Sequence, residues 1–268
     1  MKKFVLITGG AGYLGSVLAE VLLDNGYIVT VYDNLMYKQT SLLHLCDNKN
    51  FNFIKGDVTN KKQFLPQIIN HDIIIPLAAI VGAPACDANQ DLATAINYNQ
   101  IEFIVDNLRK DQKLLMPNTN SQYGTSPRMR TDLLVNDFVY KSITEGCLVL
   151  FQSHFKRNYI HVRDIAYTFL HCIENYSKLN GEVFNVGLSN ANLNKKELAE
   201  TIKNYFPNLV IIENEFSTDI DNRNYIVSND KLEATGWKPK YTIEDGINEL
   251  MLAYKMVIAD NNKKYTNL

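Results

Sequence analysis

The sequence predicts an α/β fold, a doubly wound parallel sheet with a smaller C-terminal region, on three observations. The apolar run Phe4-Val5-Leu6-Ile7 leads into Thr8-Gly9-Gly10-Ala11-Gly12-Tyr13-Leu14-Gly15, and a helical face of Leu14, Val17, Leu18, Val21 and Leu22 follows. A second apolar run, Ile28-Val29-Thr30-Val31-Tyr32, ends in Asp33. Further strand-like and helix-like stretches then alternate, which is the pattern of a parallel sheet with ligand sites at the carboxyl ends of its strands.

The first stretch reads as strand, glycine turn and helix start. Gly9 permits the tight turn, Gly12 lets a pyrophosphate approach bare backbone, and Gly15 lets helix and strand pack closely. The free N–H groups and the positive end of the helix dipole then face the phosphates. Three spaced glycines alone are weak evidence, but Asp33 stands ~20 residues beyond them, where a carboxylate holds the adenosine ribose hydroxyls. Asp33 would repel a ribose phosphate, so NAD is expected rather than NADP.

Length and composition set the bounds. The chain has 268 residues, a formal net charge of -2 and 46% hydrophobic residues, enough for one large α/β domain or one domain with a small appendage. The near-neutral balance offers no electrostatic footprint for nucleic acid or an anionic membrane. Cys46, Cys86, Cys147 and Cys172 show no CxxC pairing, so free thiols in a reducing cytoplasm are expected. Met1-Lys2-Lys3 and the apolar residues after it mimic a signal peptide, but the glycines from Gly9 interrupt them, and they read as strand one. The run from Ile73 to Cys86 contains Pro76, Gly82 and Pro84 and is too short to span a bilayer. The five histidines lack ligand spacing, and no metal is expected.

Beyond Asp33 and Asn34 a polar loop leads to a short apolar helix near Leu42-Leu43. Strand three is expected at Phe51 to Ile54, closing on Gly56-Asp57-Val58, and strand four at Asp72 to Ile75. The small residues of Leu77-Ala78-Ala79 suit either close approach of a flat ring or ribose, or a packed loop. A helix is expected from about Asp91 to Arg109, then strand five at Leu114 to Met116, running out through Pro117 to Tyr123-Gly124.

Thr8-Gly9-x-x-Gly12-x-x-Gly15, Asp33, Asp57-Val58, Leu77-Ala78-Ala79, Asn97 and Thr119-x-x-x-Tyr123-Gly124 together resemble the NAD-dependent epimerase/dehydratase family. These are extended short-chain dehydrogenases/reductases, Rossmann-fold enzymes acting on nucleotide sugars. Arg157 to Asp164, Phe184-Asn185-Val186-Gly187 (similar to the family's late strand), Arg223, Lys231-Leu232 and Gly236-Trp237-Lys238-Pro239 agree with it. The resemblance implies an NAD-binding domain over 1–124. Residues 125–268 are then mostly a substrate-binding region, with some segments returning to the sheet. It assigns Gly9, Gly12, Tyr13, Leu14, Gly15, Asp33, Asn34, Asp57, Val58, Leu77, Ala78, Ala79 and Asn97 to the cofactor, and makes Thr119 a catalytic partner of the reacting oxygen. Arg223 is expected on the substrate phosphates and Asn136 at a nucleotide or backbone contact. Arg128 and Arg130 suit a diphosphate by their guanidinium forks, or are solvated surface charges.

Pro117 to Ser121, Ser126 to Arg130 and Leu133 to Phe138 are similar, more narrowly, to enzymes of bacterial capsule heptose synthesis. These are of the GDP-D-glycero-α-D-manno-heptose 4-dehydrogenase type, so a GDP-linked sugar is the expected substrate. The family's 4,6-dehydratases carry Asp-Glu after the catalytic Thr. Asn120-Ser121 stand here, so dehydration is not expected.

One part of the family pattern is missing. Its chemistry uses a Tyr-x-x-x-Lys pair on one helix face, the ammonium lowering the tyrosine pKa from about 10. None of the fifteen tyrosines has a lysine four residues on. The family places a loop, the Tyr/Lys helix and a strand between "YG" and "SPR", roughly 40 residues by ordinary element lengths. Here Tyr123-Gly124 runs straight into Thr125-Ser126-Pro127-Arg128. Tyr140-Lys141 has the wrong spacing, since adjacent helical residues point about 100° apart, and Tyr140 reads as packing. The loss is expected to uncover apolar surface and a sheet edge, to weaken NAD binding and to reduce turnover severely. In this family that helix commonly forms the dimer interface, so a homodimer is in question as well.

Four smaller readings complete the sequence. His161 is expected to be a satisfied, partly buried histidine. Asn194 to Glu197 resembles a capping box. Trp237 reads as a core anchor, and the tail from Asp260 as a frayed end.

Overall fold

A computed structural model describes residues 3–118, 121–214 and 224–257. Thr119, Asn120, Arg223 and the tail from Asp260 lie outside the described residues.

The chain divides into two compact units. The first comprises Met1–Asn118, Ser126–Arg128 and Phe169–Asn180; the second comprises Thr119–Thr125, Met129–Thr168 and Gly181–Leu268.

In the first unit the order is β1 (Phe4–Thr8), α1 (Tyr13–Asp24), β2 (Ile28–Asp33), a 3₁₀ turn at Leu43–Leu45, β3 (Phe51–Lys55), α2 (Lys61–Ile69) and β4 (Ile73–Pro76). After α3 (Ala83–Ala88), one continuous helical stretch runs through α4 (Gln90–Thr94), a π turn (Ala95–Asn99) and α5 (Gln100–Asp106) to β5 (Lys113–Leu114). The strands form a parallel sheet in the order β3-β2-β1-β4-β5. β1 and β4 lie inside this sheet. Val5 to Ile7 and Ile73 to Ile75 are fully buried, which accounts for their unbroken apolar runs.

On one face Leu6, Tyr32 and Ile74 meet Phe64 and Ile68 of α2 and Ile96 and Ile104 of the long helix. Tyr32 stacks on Phe64 with centroids 5.3 Å apart. Val17, Leu18 and Leu22 of α1 are buried, each contributing about 2 kcal/mol. Asn25 caps α1, and Gly26 takes the left-handed conformation (φ 81) that ends it.

The second unit begins with β6 (Ser121–Tyr123) and continues with α6 (Leu134–Thr144), β7 (Cys147–Phe151) and β8 (Lys156–His161). α7 (Val162–Glu174) passes from the second unit into the first, to which α8 (Tyr176–Leu179) belongs. Then come β9 (Asn192–Asn194), α9 (Lys195–Lys203), β10 (Val210–Asn214), α10 (Asp230–Glu233) and α11 (Ile243–Val257). β8 pairs parallel with β6 and antiparallel with β9, and β7 pairs parallel with β10. The capping box at Asn194 and Glu197 is formed in both directions. Asn194→Ala is therefore expected to lower stability by about 1 kcal/mol, read as a shift in the urea midpoint. Trp237 is buried.

Two expectations are corrected. Tyr123-Gly124 does not end strand five: β5 stops at Leu114, and Ser121–Tyr123 is a separate strand in register with Tyr159–His161. Only six positions separate β5 from β6. A crossover between parallel strands of one sheet takes about a dozen residues or more, so the chain cannot return to lie beside β5. β5 is accordingly the edge of the five-stranded sheet among the described residues, and Tyr98, Val105 and Met116 are exposed. Phe184 to Val186, similar to a late strand, carry no ladder. Side chains bond this segment instead, Lys231 Nζ donating to the Val183 carbonyl and Asn185 Nδ2 to the Ser228 carbonyl.

Candidate functional site

The first unit gathers most of the residues assigned to a dinucleotide. Gly9 has φ +66, and a Cβ there would lie 2.5 Å from the Ala78 nitrogen. The turn therefore needs glycine both for its conformation and for close approach to the Leu77-Ala78-Ala79 loop. A Cβ on Gly15 would lie 2.5 Å from Gly10 Cα, so this glycine lets the helix start pack on the turn itself.

Gly12 differs. Its backbone is ordinary (φ -79, ψ -174), and a Cβ would meet the Gly9 carbonyl oxygen at 3.1 Å and no other described atom within 4 Å. That open side is room for a ligand against bare backbone. No side chain caps α1, and no acid stands in its first turn, so its dipole end is left for an anion.

The loop after β4 is fixed by polar side chains. The Thr8 hydroxyl donates to Gln100 Oε1 at 3.0 Å and accepts from the Ala78 nitrogen at 3.3 Å. Gln100 Nε2 donates to the carbonyls of Ala78 and Ile96, both at 2.8 Å. Asn97 grips Ile80 from both sides, accepting from its nitrogen at 2.8 Å and donating to its carbonyl at 2.9 Å. Asn97 thus shapes the loop through Ile80, and it sits in the π turn, a feature frequent at functional sites. No local pattern marks Gln100, whose role depends on the helix lying against β4.

Asp33 ends β2 and is buried. Its Oδ2 accepts from the Ala11 nitrogen at 3.0 Å and its Oδ1 from the Leu35 nitrogen at 2.8 Å. Burial pushes its pKa above the ordinary value, and these two backbone bonds oppose the rise. Asn34 Nδ2 donates to Asp57 Oδ2 at 3.3 Å, while Asp57 Oδ1 accepts from the Thr59 nitrogen and hydroxyl. Burial raises the Asp57 pKa, but the Thr59 and Asn34 bonds outweigh it and hold the group below its usual range. Val58 is buried beside it.

The substrate candidates are not gathered in one unit. Arg128 belongs to the first, Arg130 and Asn136 to the second. Arg130 Nε is 3.0 Å from Asp132 Oδ1. Asn136 is fully buried, its Oδ1 accepting from the Gly124 nitrogen at 3.0 Å and its Nδ2 donating to the carbonyls of Gly124 and Arg130. Its amide braces the Gly124 turn.

His161 is fully buried. Its Nδ1 accepts from the Arg163 nitrogen at 3.2 Å, which leaves Nε2–H to donate to Glu249 Oε1 at 2.7 Å. Its ring stacks on Tyr241 and meets Tyr123 edge-on. Glu249 also accepts from the Thr125 nitrogen and from Arg163. Sequence reasoning missed Glu249, because a glutamate on an amphipathic helix ordinarily reads as solvated.

Burial raises the Glu249 pKa, but the His161, Thr125 and Arg163 interactions outweigh it and leave it below the ordinary 4.5. A carboxylate depressed in the folded state stabilises above its unfolded pKa, and that stability is lost as pH falls through the folded value. Unfolding midpoints of wild type and Glu249→Gln are therefore expected to converge below about pH 4.5. Asp164, raised by burial, acts with the opposite sign in both proteins and cancels in the comparison. A constant gap down to pH 3 would contradict the assignment.

Among the described residues no group of three or more His, Cys, Asp or Glu could hold a metal ion, and no helix is long and apolar enough to cross a membrane.

Residues 5–142, just over half of the chain, match the NAD dependent epimerase/dehydratase family. The chain is 34% identical over 125 residues to UDP-N-acetyl-alpha-D-glucosaminuronate decarboxylase of Bacillus cytotoxicus, covering 46% of this chain and 39% of that one. It thus spans about two fifths of that relative's length. To Low-salt glycan biosynthesis protein Agl12 of Haloferax volcanii it is 24% identical over 305 positions, covering 91% of this chain and 96% of that one. Since 91% of 268 residues is about 244, some 60 of those positions have no residue here.

Among solved structures, Pal from Bacillus thuringiensis superimposes with a TM-score of 0.79 at 18% identity over 95% of this chain and 99% of that one. UDP-glucose 4-epimerase from Thermotoga maritima gives 0.79 at 19% over 96% and 100%. These likenesses show the fold. With the open Gly12, the uncapped helix and the acidic end of β2 in place, the chain belongs to the NAD dependent epimerase/dehydratase family, and its cofactor is NAD.

Proposed function

We propose that this chain is an oxidoreductase of nucleotide sugars, of the class that oxidises or reduces C4 of a GDP-heptose for capsule or surface polysaccharide, with severely reduced turnover. The observation that carries the reading is the glycine cradle with its open side at Gly12. NAD, when bound, supplies a hydride acceptor and NADH a hydride donor.

The backbone of Gly12, Tyr13, Leu14 and Gly15 would hold the pyrophosphate. Asp33 and Asn34 would take the ribose hydroxyls, and Asp57 and Val58 would border the adenine. Leu77, Ala78 and Ala79, set by Thr8, Gln100 and Asn97, would border the other half of the dinucleotide. Asp33→Asn is expected to raise the Kd for NADH about tenfold by removing a charge-assisted bond. Titration of NADH fluorescence checks this, and an unchanged Kd would remove Asp33 from the site.

The names of the relatives support a nucleotide-sugar substrate, two of them being a UDP-sugar decarboxylase and CDP-paratose 2-epimerase of Salmonella typhi. The GDP-heptose choice rests on the sequence similarity of Pro117 to Ser121, Ser126 to Arg130 and Leu133 to Phe138, with Arg130 and Arg223 as substrate residues and Thr119 on the reacting oxygen. Free thiols at Cys46, Cys86, Cys147 and Cys172 support a cytoplasmic location.

A second reading, a protein that holds NAD(H) without turnover, is favoured by the six positions between β5 and β6. The Tyr/Lys helix expected between Tyr123-Gly124 and Ser126 would have to fall there instead, since Tyr123 ends β6 and not β5, and six positions leave no room for it. The deciding experiment mixes the protein with NAD and a GDP-heptose and follows nicotinamide absorbance, beside an enzyme that retains the pair. Slow NADH formation supports the first reading. None, with NADH still raising the melting temperature, supports the second. No thermal shift with NADH overturns both.

A further inference from the structure

We infer that Arg128 is a cofactor residue: its guanidinium holds the phosphate-bearing adenosine half of the dinucleotide, and not the diphosphate of a sugar nucleotide. This rests on the proposed use of the first unit for NAD. Residues 126–128 pack with that unit although the residues on both sides of them belong to the other.

The Ser126 hydroxyl donates to the Tyr13 carbonyl at 2.7 Å and lies 3.0 Å from Ser16 Oγ. That fixes the segment on the first turn of α1, the end left open for an anion. The Arg128 nitrogen donates to Ser126 Oγ at 3.2 Å, which sets the step from serine to arginine. The Arg128 side chain is buried, and its guanidinium carbon lies 5.4 Å from the ring centroid of Tyr37.

Tyr37 belongs to the loop that starts at Asp33. This loop is itself tied to the glycine turn, Asp33 accepting from the Ala11 nitrogen and the Ser41 hydroxyl donating to the Ala11 carbonyl at 2.7 Å. Two segments distant in sequence, 33–41 and 126–128, are thus bonded to Ala11–Tyr13 or its helix, and Arg128 is the buried cation among them. A guanidinium fork matches phosphate oxygens two at a time. Resting on Tyr37, it is held flat against the wall that carries the ribose-binding acid.

The test is binding, independent of turnover. NADH, ADP-ribose and GDP are titrated by calorimetry into wild type, Arg128→Gln, Arg128→Lys and, as a control for lost surface charge in the same unit, Arg109→Gln. Arg128→Gln is expected to raise the Kd for both NADH and ADP-ribose at least about tenfold and to leave GDP unchanged, with Arg109→Gln at wild-type values. Arg128→Lys keeps the charge without the fork and is expected to fall between. It carries the test alone if Arg128→Gln melts below the working temperature. Unchanged NADH affinity in a folded Arg128 variant overturns the inference, as does loss of GDP affinity with NADH intact. If wild type binds neither NADH nor ADP-ribose, the proposed function fails and this inference with it.

Discussion

Given NAD and a GDP-heptose, the protein is expected to form NADH at least ~10³-fold more slowly than a family enzyme that retains the Tyr/Lys pair. A positioned general base contributes on the order of 10²–10⁴ in rate, and neither the buried Tyr123 and Tyr159 nor Tyr140 is set to serve as one. Tyr123 is fully buried, its hydroxyl without a hydrogen-bond partner among the described residues. Burial first, then the carboxylates of Asp164, Asp245, Glu244 and Glu249, drive its pKa far above the ordinary 10, the opposite of what a tyrosinate base requires. Tyr159 is buried and raised in the same sense. Tyr140 packs edge-on against Tyr254, and Lys141 is bonded to Asp137 at 2.9 Å. A rate equal to that of the intact enzyme would show that another group takes the proton, and Thr119 would be the first residue to replace.

Gly124→Ala is expected to destabilise the protein by about 4 kcal/mol, a large fraction of the net stability of a typical domain. Gly124 has φ +102, and a Cβ there would lie 2.4 Å from His161 Nε2 and 2.6 Å from Glu249 Oε1. Neither atom can retreat cheaply, since the two are bonded to each other and Glu249 is also held by Thr125 and Arg163. Gly236→Ala is the matched control. Its φ is +90, but no described atom lies within 4 Å, so only the backbone cost of about 1 kcal/mol remains. Urea denaturation of both variants separates the conformational part from the collision, and equal midpoints would rule the collision out.

The parts legible in the sequence were those whose cause is local. The glycine turn, the strand end at Asp33 and the Asn25-Gly26 stop lie within one strand–helix–strand unit, so spacing alone places them. The capping box at Asn194 is local in the same way. Tyr123-Gly124 misled because the strand it forms is defined by a partner more than 30 residues downstream, which no short window contains. The same reason hid Gln100 and Glu249. Each is a polar residue on an amphipathic helix, and its value comes from the loop it reaches, at Ala78 in one case and Thr125 in the other. Asn136 was legible as important but not in kind, since its bonds go to backbone that the sequence does not bring near it.

The border of the five-stranded sheet has a consequence for how the protein behaves at high concentration. An open strand is a template onto which another chain can add, and long flat borders seed polymerisation. β5 offers a template of only two residues. One of them, Lys113, donates to the Ile173 carbonyl at 3.0 Å and lies over the Tyr176 ring. Too brief to nucleate a ladder and carrying a charge that a stacked copy would repeat, this margin is a poor template for a second copy.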